Sequence, residues 1–401
     1  MARRTLFAAV ALLLGAVPVH APVAAGGQAF QSRALVIDSA PASADPLWVG
    51  GLWHVSPAGD IEKVLRRRWL PLAPNRDGVV AAVPNDARER DRYRYWIVRP
   101  EVGSRRLPHA TSAPPCASWS GDDGLVSYLS GAGEASGTRG VLWVAPMDAP
   151  DEAKPVATGL FPECPTWSPE GRRLAYFVRT KRNTELWDLY VYDGAGSERV
   201  SRTTGPAQSG ATKNRSFDWS PDGDTLAWIH QRSIQVYDQT GTRRLTEKGA
   251  LTPVIRRIEG NSKVQALRFS LDGELLGVGI GYGAGIFDAD GDAIAYVRGI
   301  VRGWAGNVGL LTARPYRGAP SLLLHRAVPD SSPELIQKYS KQPVITSPDG
   351  DWFAYLHPHQ RDELVFRAPG GRLINQVDLD LRAGTPGAIG ADGRFKAPPW
   401  P

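Results

Sequence analysis

The sequence predicts an all-β chain folded as a β-propeller of four-stranded blades. Three observations carry that prediction. The 401 residues include 43 Gly and 33 Pro, well above ordinary usage but without a collagen period. They also include 13 Trp, 12 Tyr and 10 Phe, enough large apolar side chains to fill a core, which excludes a disordered chain. Finally, a hairpin motif recurs along the chain, with its glycines at 78, 124, 171, 223 and 273 spaced 46, 47, 52 and 50 residues apart.

The N-terminus reads as an export signal over residues 1–25. Arg3 and Arg4 precede an apolar run from Leu6 to Val17, and small residues follow, with a cut after Ala25 preferred. The general secretory route and the twin-arginine route both fit Arg3, Arg4, Thr5, Leu6 and Phe7. Residues 26–46 are expected to be a flexible N-terminal segment, and 47–397 a single propeller domain. No later stretch is apolar for long enough to span a bilayer as a helix, so the mature chain is expected in the periplasm or outside the cell.

Each unit opens with a strand that ends in a Ser-Pro-Asp-Gly turn. It appears as Trp167, Ser168, Pro169, Glu170, Gly171 and as Trp219, Ser220, Pro221, Asp222, Gly223. Looser copies are Phe269 to Gly273 and Thr346 to Gly350, and copies with one extra residue end at Gly124 and Gly78. Pro fixes φ at the first corner, Asp bonds the backbone ahead of it, and Gly supplies the positive φ that closes a hairpin. A second hairpin follows, marked by an aromatic residue, Asp and, three residues on, Gly: Tyr192, Asp193, Gly196; Tyr237, Asp238, Gly241; Phe287, Asp288, Gly291. Two hairpins make four strands, the content of a propeller blade.

The gap from Gly273 to Gly350 is 77 residues and holds a degenerate copy, with strands at Ile300–Trp304, Val308–Thr312 and Ser321–His325. Leu52 to Val64 matches only a second hairpin, and Ala388 to Phe395 only a first one. The two ends are therefore expected to share one closing blade, giving eight blades, or seven if the degenerate or the terminal copy is misread.

The Trp-Ser-Pro-Asp-Gly hairpin followed by Leu174, Ala175, Tyr176 or Leu226, Ala227, Trp228, together with the Tyr190, Val191, Tyr192, Asp193 hairpin, resembles the repeats of TolB-like β-propellers (WD40-like repeats). The resemblance spans roughly residues 47 to 395 and implies the propeller fold and an extracytoplasmic setting. Similar blades also occur beside the catalytic domain of prolyl-oligopeptidase-like enzymes, but no Gly-x-Ser-x-Gly elbow occurs in this chain.

Two function classes fit. One is a non-catalytic scaffold for another extracytoplasmic protein or a small ligand. The other is a propeller enzyme, a metal-dependent lactonase- or esterase-like hydrolase with its site in the central channel. No catalytic motif, cofactor site or metal site is identified. The formal charge of +6 is scattered, and its densest cluster, Arg66 to Arg68, is short, so no nucleic-acid role is expected. Partner-binding candidates are Arg88, Arg90, Arg92, Arg179, Lys181 and Arg182, in the longer loops between second and third strands, where they would suit an acidic surface.

Cys116 and Cys164 each lie three residues before the first-hairpin Trp of consecutive units. Equivalent positions around a propeller axis converge to about 6 Å, so a disulfide is expected. The recurring Trp119, Trp167, Trp219 and Phe269 read as packing between blades. Asp288 to Asp292 reads as a hairpin turn and not a calcium loop, because Ala293 and Gly299 stand where that loop needs Gly and Glu. The glycine run Gly279 to Gly285 reads as a flexible middle loop. His357 and His359, with Asp362 and Glu363, gather metal-capable groups, but with Pro358 between the two His nothing fixes their geometry.

Overall fold

The computed structural model describes residues 34–39, 52–65, 69–74, 80–84, 93–99, 103–111, 116–122, 124–131, 139–161, 164–179, 187–203, 217–230, 232–256, 264–314, 321–329, 331–338, 344–347, 349–357, 363–379 and 385–391. Among these, strands form seven sheets, six of four strands and one of eight. A single parallel pair, Thr111 with Gly131, joins the two halves of the eight-stranded sheet, so it comprises two four-stranded units. The units run in chain order from Trp69 to Thr111, Ala117 to Gly159, Thr166 to Thr203, Phe217 to Arg244, Val264 to Arg298, Ile300 to Gln337 and Val344 to Asp378. In the third to seventh, strands pair in sequence order, and from the fourth to the seventh the opening strands of neighbouring units lie side by side. That is the architecture of a propeller.

The remaining sheet joins both ends of the chain. Thr385–Ala391 pairs with Ala34–Ser39, which pairs with Leu52–Val55, which pairs with Ile61–Leu65. The two ends thus share a sheet, with three described strands from the N-terminal side and one from the C-terminal side. The segment 26–46, read as flexible, contains a strand. Leu35, Val36 and Ile37 form a short apolar run of the kind strands favour, and its brevity hid it. Residues 394–395, the expected hairpin partner, lie outside the described residues.

The turns show why the repeat has its residues. Gly171, Gly223, Gly273 and Gly350 have φ between 76° and 81°, a region that side chains disfavour. The Ser of each turn is the larger contributor. Ser120, Ser168, Ser220, Ser270 and Ser347 are all buried. In the fourth unit Gly223 N–H donates to Ser220 O (2.9 Å), Thr225 N–H donates to Ser220 Oγ (2.8 Å), and the hydroxyl donates to Asp222 Oδ1 (2.5 Å). Ser270 makes the same three bonds with Gly273, Leu275 and Asp272. A buried hydroxyl is costly unless bonded, so Ser and Asp are needed together.

Packing between units rests on the recurring aromatics. Trp167 Nε1 donates to Ser127 Oγ, Trp219 Nε1 to Thr166 O and Trp304 Nε1 to Arg268 O, each at 3.1 Å and each in the preceding unit. Arg173 adds a clasp: its guanidinium lies 4.9 Å over the Trp219 ring, donates to Gly223 O, and is 3.5 Å from Asp224. The indoles are consumed by the core, as their repetition implied.

Gly279 to Gly285 is not a flexible loop. Leu275–Ile280 and Gly283–Asp288 are paired strands, with Gly281 and Tyr282 forming the turn. The glycines permit close approach: a Cβ on Gly277 would lie 2.6 Å from Leu310 Cδ1, and one on Gly283 would lie 2.5 Å from Val254 O. No helix among the described residues is long and apolar enough to cross a membrane.

Candidate functional site

The two ends of the blades differ chemically. At one end the Ser-Pro-Asp-Gly turns of neighbouring units stack together: a Cβ on Gly273 would sit 3.3 Å from Pro221, and one on Gly171 would sit 2.7 Å from the Gly121 nitrogen. Their polar groups are spent on one another. Donation from the Ser220 hydroxyl holds the Asp222 carboxyl below its ordinary range, and Asp238 is lowered in the same way by the Thr240 hydroxyl. Asp288 Oδ1 accepts from the Asp290 and Asp292 N–H groups, which makes 288–292 a hairpin turn.

At the other end lie the connections between second and third strands. In the fourth unit this is a tight hairpin, with His230 paired to Ser233 and Arg232 at φ 66°, the one non-glycine residue with positive φ among the described residues. Arg232 is exposed, and its carbonyl accepts from Leu251 N–H (3.0 Å) just ahead of the five-residue helix Thr252–Arg256. In the fifth unit the turn carries Tyr282, 47% exposed. Val254 of the helix lies against Gly283, so the helix packs beside both turns. His230 is half-buried, its Nδ1 has no hydrogen-bond partner, and burial lowers its pKa. Sequence reasoning missed this group, because short hairpins carry no loop-length signal. The positive φ at an arginine is visible only in coordinates.

Of the six basic candidates, Arg88, Arg90, Arg92, Lys181 and Arg182 lie outside the described residues. Arg179 is half-buried. Its guanidinium lies 4.9 Å over the Trp187 ring, and its backbone bridges Leu160. A planar guanidinium packs its face on a buried indole and gains a cation–π contact there. Cys116 and Cys164 form a disulfide with Cα atoms 5.9 Å apart, tying the second unit to the third. His357 Nδ1 is 3.9 Å from Glu363 Oε2, while His359 and Asp362 lie outside the described residues. No group of three metal-capable side chains occurs among the described residues.

No protein-family model and no curated protein matches the sequence. Solved structures do match by shape. TolB from Acinetobacter baumannii is 14% identical, over 91% of this chain and 67% of that one, with a TM-score of 0.44. Apo AztD from Citrobacter koseri is 10% identical, over 90% of this chain and 97% of that one, with a TM-score of 0.54. The β-propeller domain of the Trilobed protease from Pyrococcus furiosus is 15% identical, over 77% and 96%, with a TM-score of 0.43. The repeated four-stranded sheets, in chain order with their opening strands side by side, make the fold a β-propeller, and the likeness to AztD is one of fold alone.

Proposed function

We propose that the protein is an exported, non-catalytic scaffold that captures an acidic extracytoplasmic partner on the rim formed by the second-to-third strand connections. One observation carries this reading. The polar residues that repeat from blade to blade are bonded internally, as the Ser220 and Ser270 turns and the Trp167, Trp219 and Trp304 indoles illustrate. Chemistry available to a partner must therefore come from residues that do not repeat. In the opposite rim such residues are Arg232 and Tyr282, and the reading assigns to the same surface, by their sequence position between second and third strands, the basic residues Arg88, Arg90, Arg92, Lys181 and Arg182, while Arg179 packs on Trp187. A rigid ring carrying variable loops is a common way to present a binding surface. The disulfide is compatible with an oxidising compartment, as the export reading requires. We further take the sheet that joins both ends of the chain to be the closing blade.

The test is affinity capture from the native envelope and culture fluid. Wild type is compared with a variant in which Arg88, Arg90, Arg92, Lys181 and Arg182 are changed to Gln, Arg179 being left in place to spare its packing on Trp187. The variant is expected to lose a partner that high salt also releases. Equal recovery by both proteins would remove the assignment. Stoichiometric zinc or calcium on purified protein, together with lactone or ester hydrolysis, would replace the scaffold by the hydrolase reading.

A further inference from the structure

Arg302 lies on the opening strand of the sixth unit, Ile300–Ala305. In a propeller this is the strand nearest the axis. It occupies a β-bulge: Val301 pairs with Thr312 and Gly303 with Leu311, which leaves Arg302 with no residue opposite. Bulges re-aim side chains and occur disproportionately beside sites. Gly303, at φ 156°, presents no side chain next to it.

The environment of Arg302 is anomalous for a cation. Its side chain is half-buried, and Nε is sealed from solvent without an acceptor. No hydrogen bond or ion pair links the Arg302 side chain to any described residue. Elsewhere the pattern is different. Arg99, Arg173, Arg199, Arg243 and Arg326 each face a carboxylate, Asp148, Asp224, Asp188, Asp238 and Glu334 respectively. Burial lowers the Arg302 pKa, and no carboxylate among the described residues forms an ion pair with it. A partly desolvated cation without a described counter-charge gains little from folding. A guanidinium is also the side chain best shaped to grip an oxyanion through two parallel bonds.

We propose that Arg302 anchors an oxyanion-binding site on the innermost strand of the sixth unit, one that takes a small carboxylate or phosphate. The proposal uses none of the rim residues, so it stands or falls independently of the scaffold reading.

The full chain is titrated at constant ionic strength in two arms, inorganic phosphate and succinate, while the thermal midpoint is followed. Wild type should gain stability saturably in at least one arm, and the responding arm identifies the oxyanion class. Arg302→Met should be no less stable than wild type without added anion, because it removes a partly desolvated charge that no described residue pairs. It should also bind at least tenfold more weakly, about 1.4 kcal/mol. Should Arg302→Met fail to fold, Arg302→Gln carries the same comparison. Phosphorus NMR line broadening and succinate titration calorimetry on wild type read binding directly. An absence of binding in both arms, or an unchanged response in the folded variant, would overturn the proposal.

Discussion

The fourth and sixth blades meet the same structural demand with different residues. The fourth carries the full turn, with Ser220 buried and bonded to Asp222 and Thr225. The sixth replaces it with Ala305, Gly306 and Asn307, closed by Val308 N–H to Ala305 O (3.1 Å). The Asn307 side chain accepts instead from Asp272 N–H in the fifth unit (3.1 Å). What the two share is the indole: Trp219 and Trp304 each donate to a backbone carbonyl of the preceding blade and are 4% exposed. Packing between blades is thus the requirement a blade cannot drop, whereas several chemistries will close a turn. Freed from the repeat, the sixth blade also holds Arg302 and the buried pair of Thr312 and His325.

The largest effects should be the same in both blades. Trp219→Ala and Trp304→Ala should each cost about 3–5 kcal/mol of unfolding free energy in denaturant titrations, through lost burial and the cavity left behind. A cost in the sixth blade under half that in the fourth would break the equivalence drawn between them.

The next effect should be confined to the sixth blade. Burial, reinforced by Arg314, lowers the His325 pKa to about 4 from an ordinary 6.5. The ring is therefore neutral when folded, with Nε2 2.9 Å from Thr312 Oγ1. As the pH falls below 6.5 the unfolded chain takes up the proton first. Stability present above 6.5 is thus lost progressively down to about 4, at roughly 3 kcal/mol in total. Urea midpoints for His325→Gln should lack that part of the slope. A variant as acid-sensitive as wild type would assign the loss to other groups.

The regular blades were legible in sequence because a turn that needs Pro, Asp and positive-φ Gly restricts residue choice at fixed positions, as at Pro221, Asp222 and Gly223. The disulfide could be read from Cys116 and Cys164 for a similar reason, since equivalent positions on adjacent inner strands come close together. The Ser of the turn was visible but undervalued, because its burial depends on how neighbouring turns stack. Ala34–Ser39 escaped notice because its partners, Leu52–Val55 and Thr385–Ala391, are distant in sequence. Arg302 could not have been found at all. An unpaired cation is defined by what surrounds it, and no local pattern records that.

Turn chemistry gives a smaller, asymmetric contrast. Ser220→Ala should cost about 2 kcal/mol, because Asp222 and the Thr225 N–H lose a buried partner. Ala305→Ser in the sixth blade should gain nothing, since Asn307 stands where a receiving carboxylate would be needed. A stabilising Ala305→Ser would show that the hydroxyl suffices without its Asp.

The smallest expected effect separates stability from use within the fourth blade itself. Arg232 holds φ 66° at a hairpin tip where glycine would be unstrained. The left-handed region costs a side chain about 1–2 kcal/mol, partly offset by the entropy glycine loses on folding, roughly 0.5–1 kcal/mol. Arg232→Gly should therefore stabilise the protein by up to about 1 kcal/mol, read as a higher thermal midpoint, and at the same time weaken capture of the acidic partner. Strain maintained at one exposed arginine, in a blade whose other turn uses glycine for the same purpose, is what a need for the guanidinium at that tip would produce. Stabilisation without any loss of capture would leave the strain unexplained and would move the binding surface away from this rim.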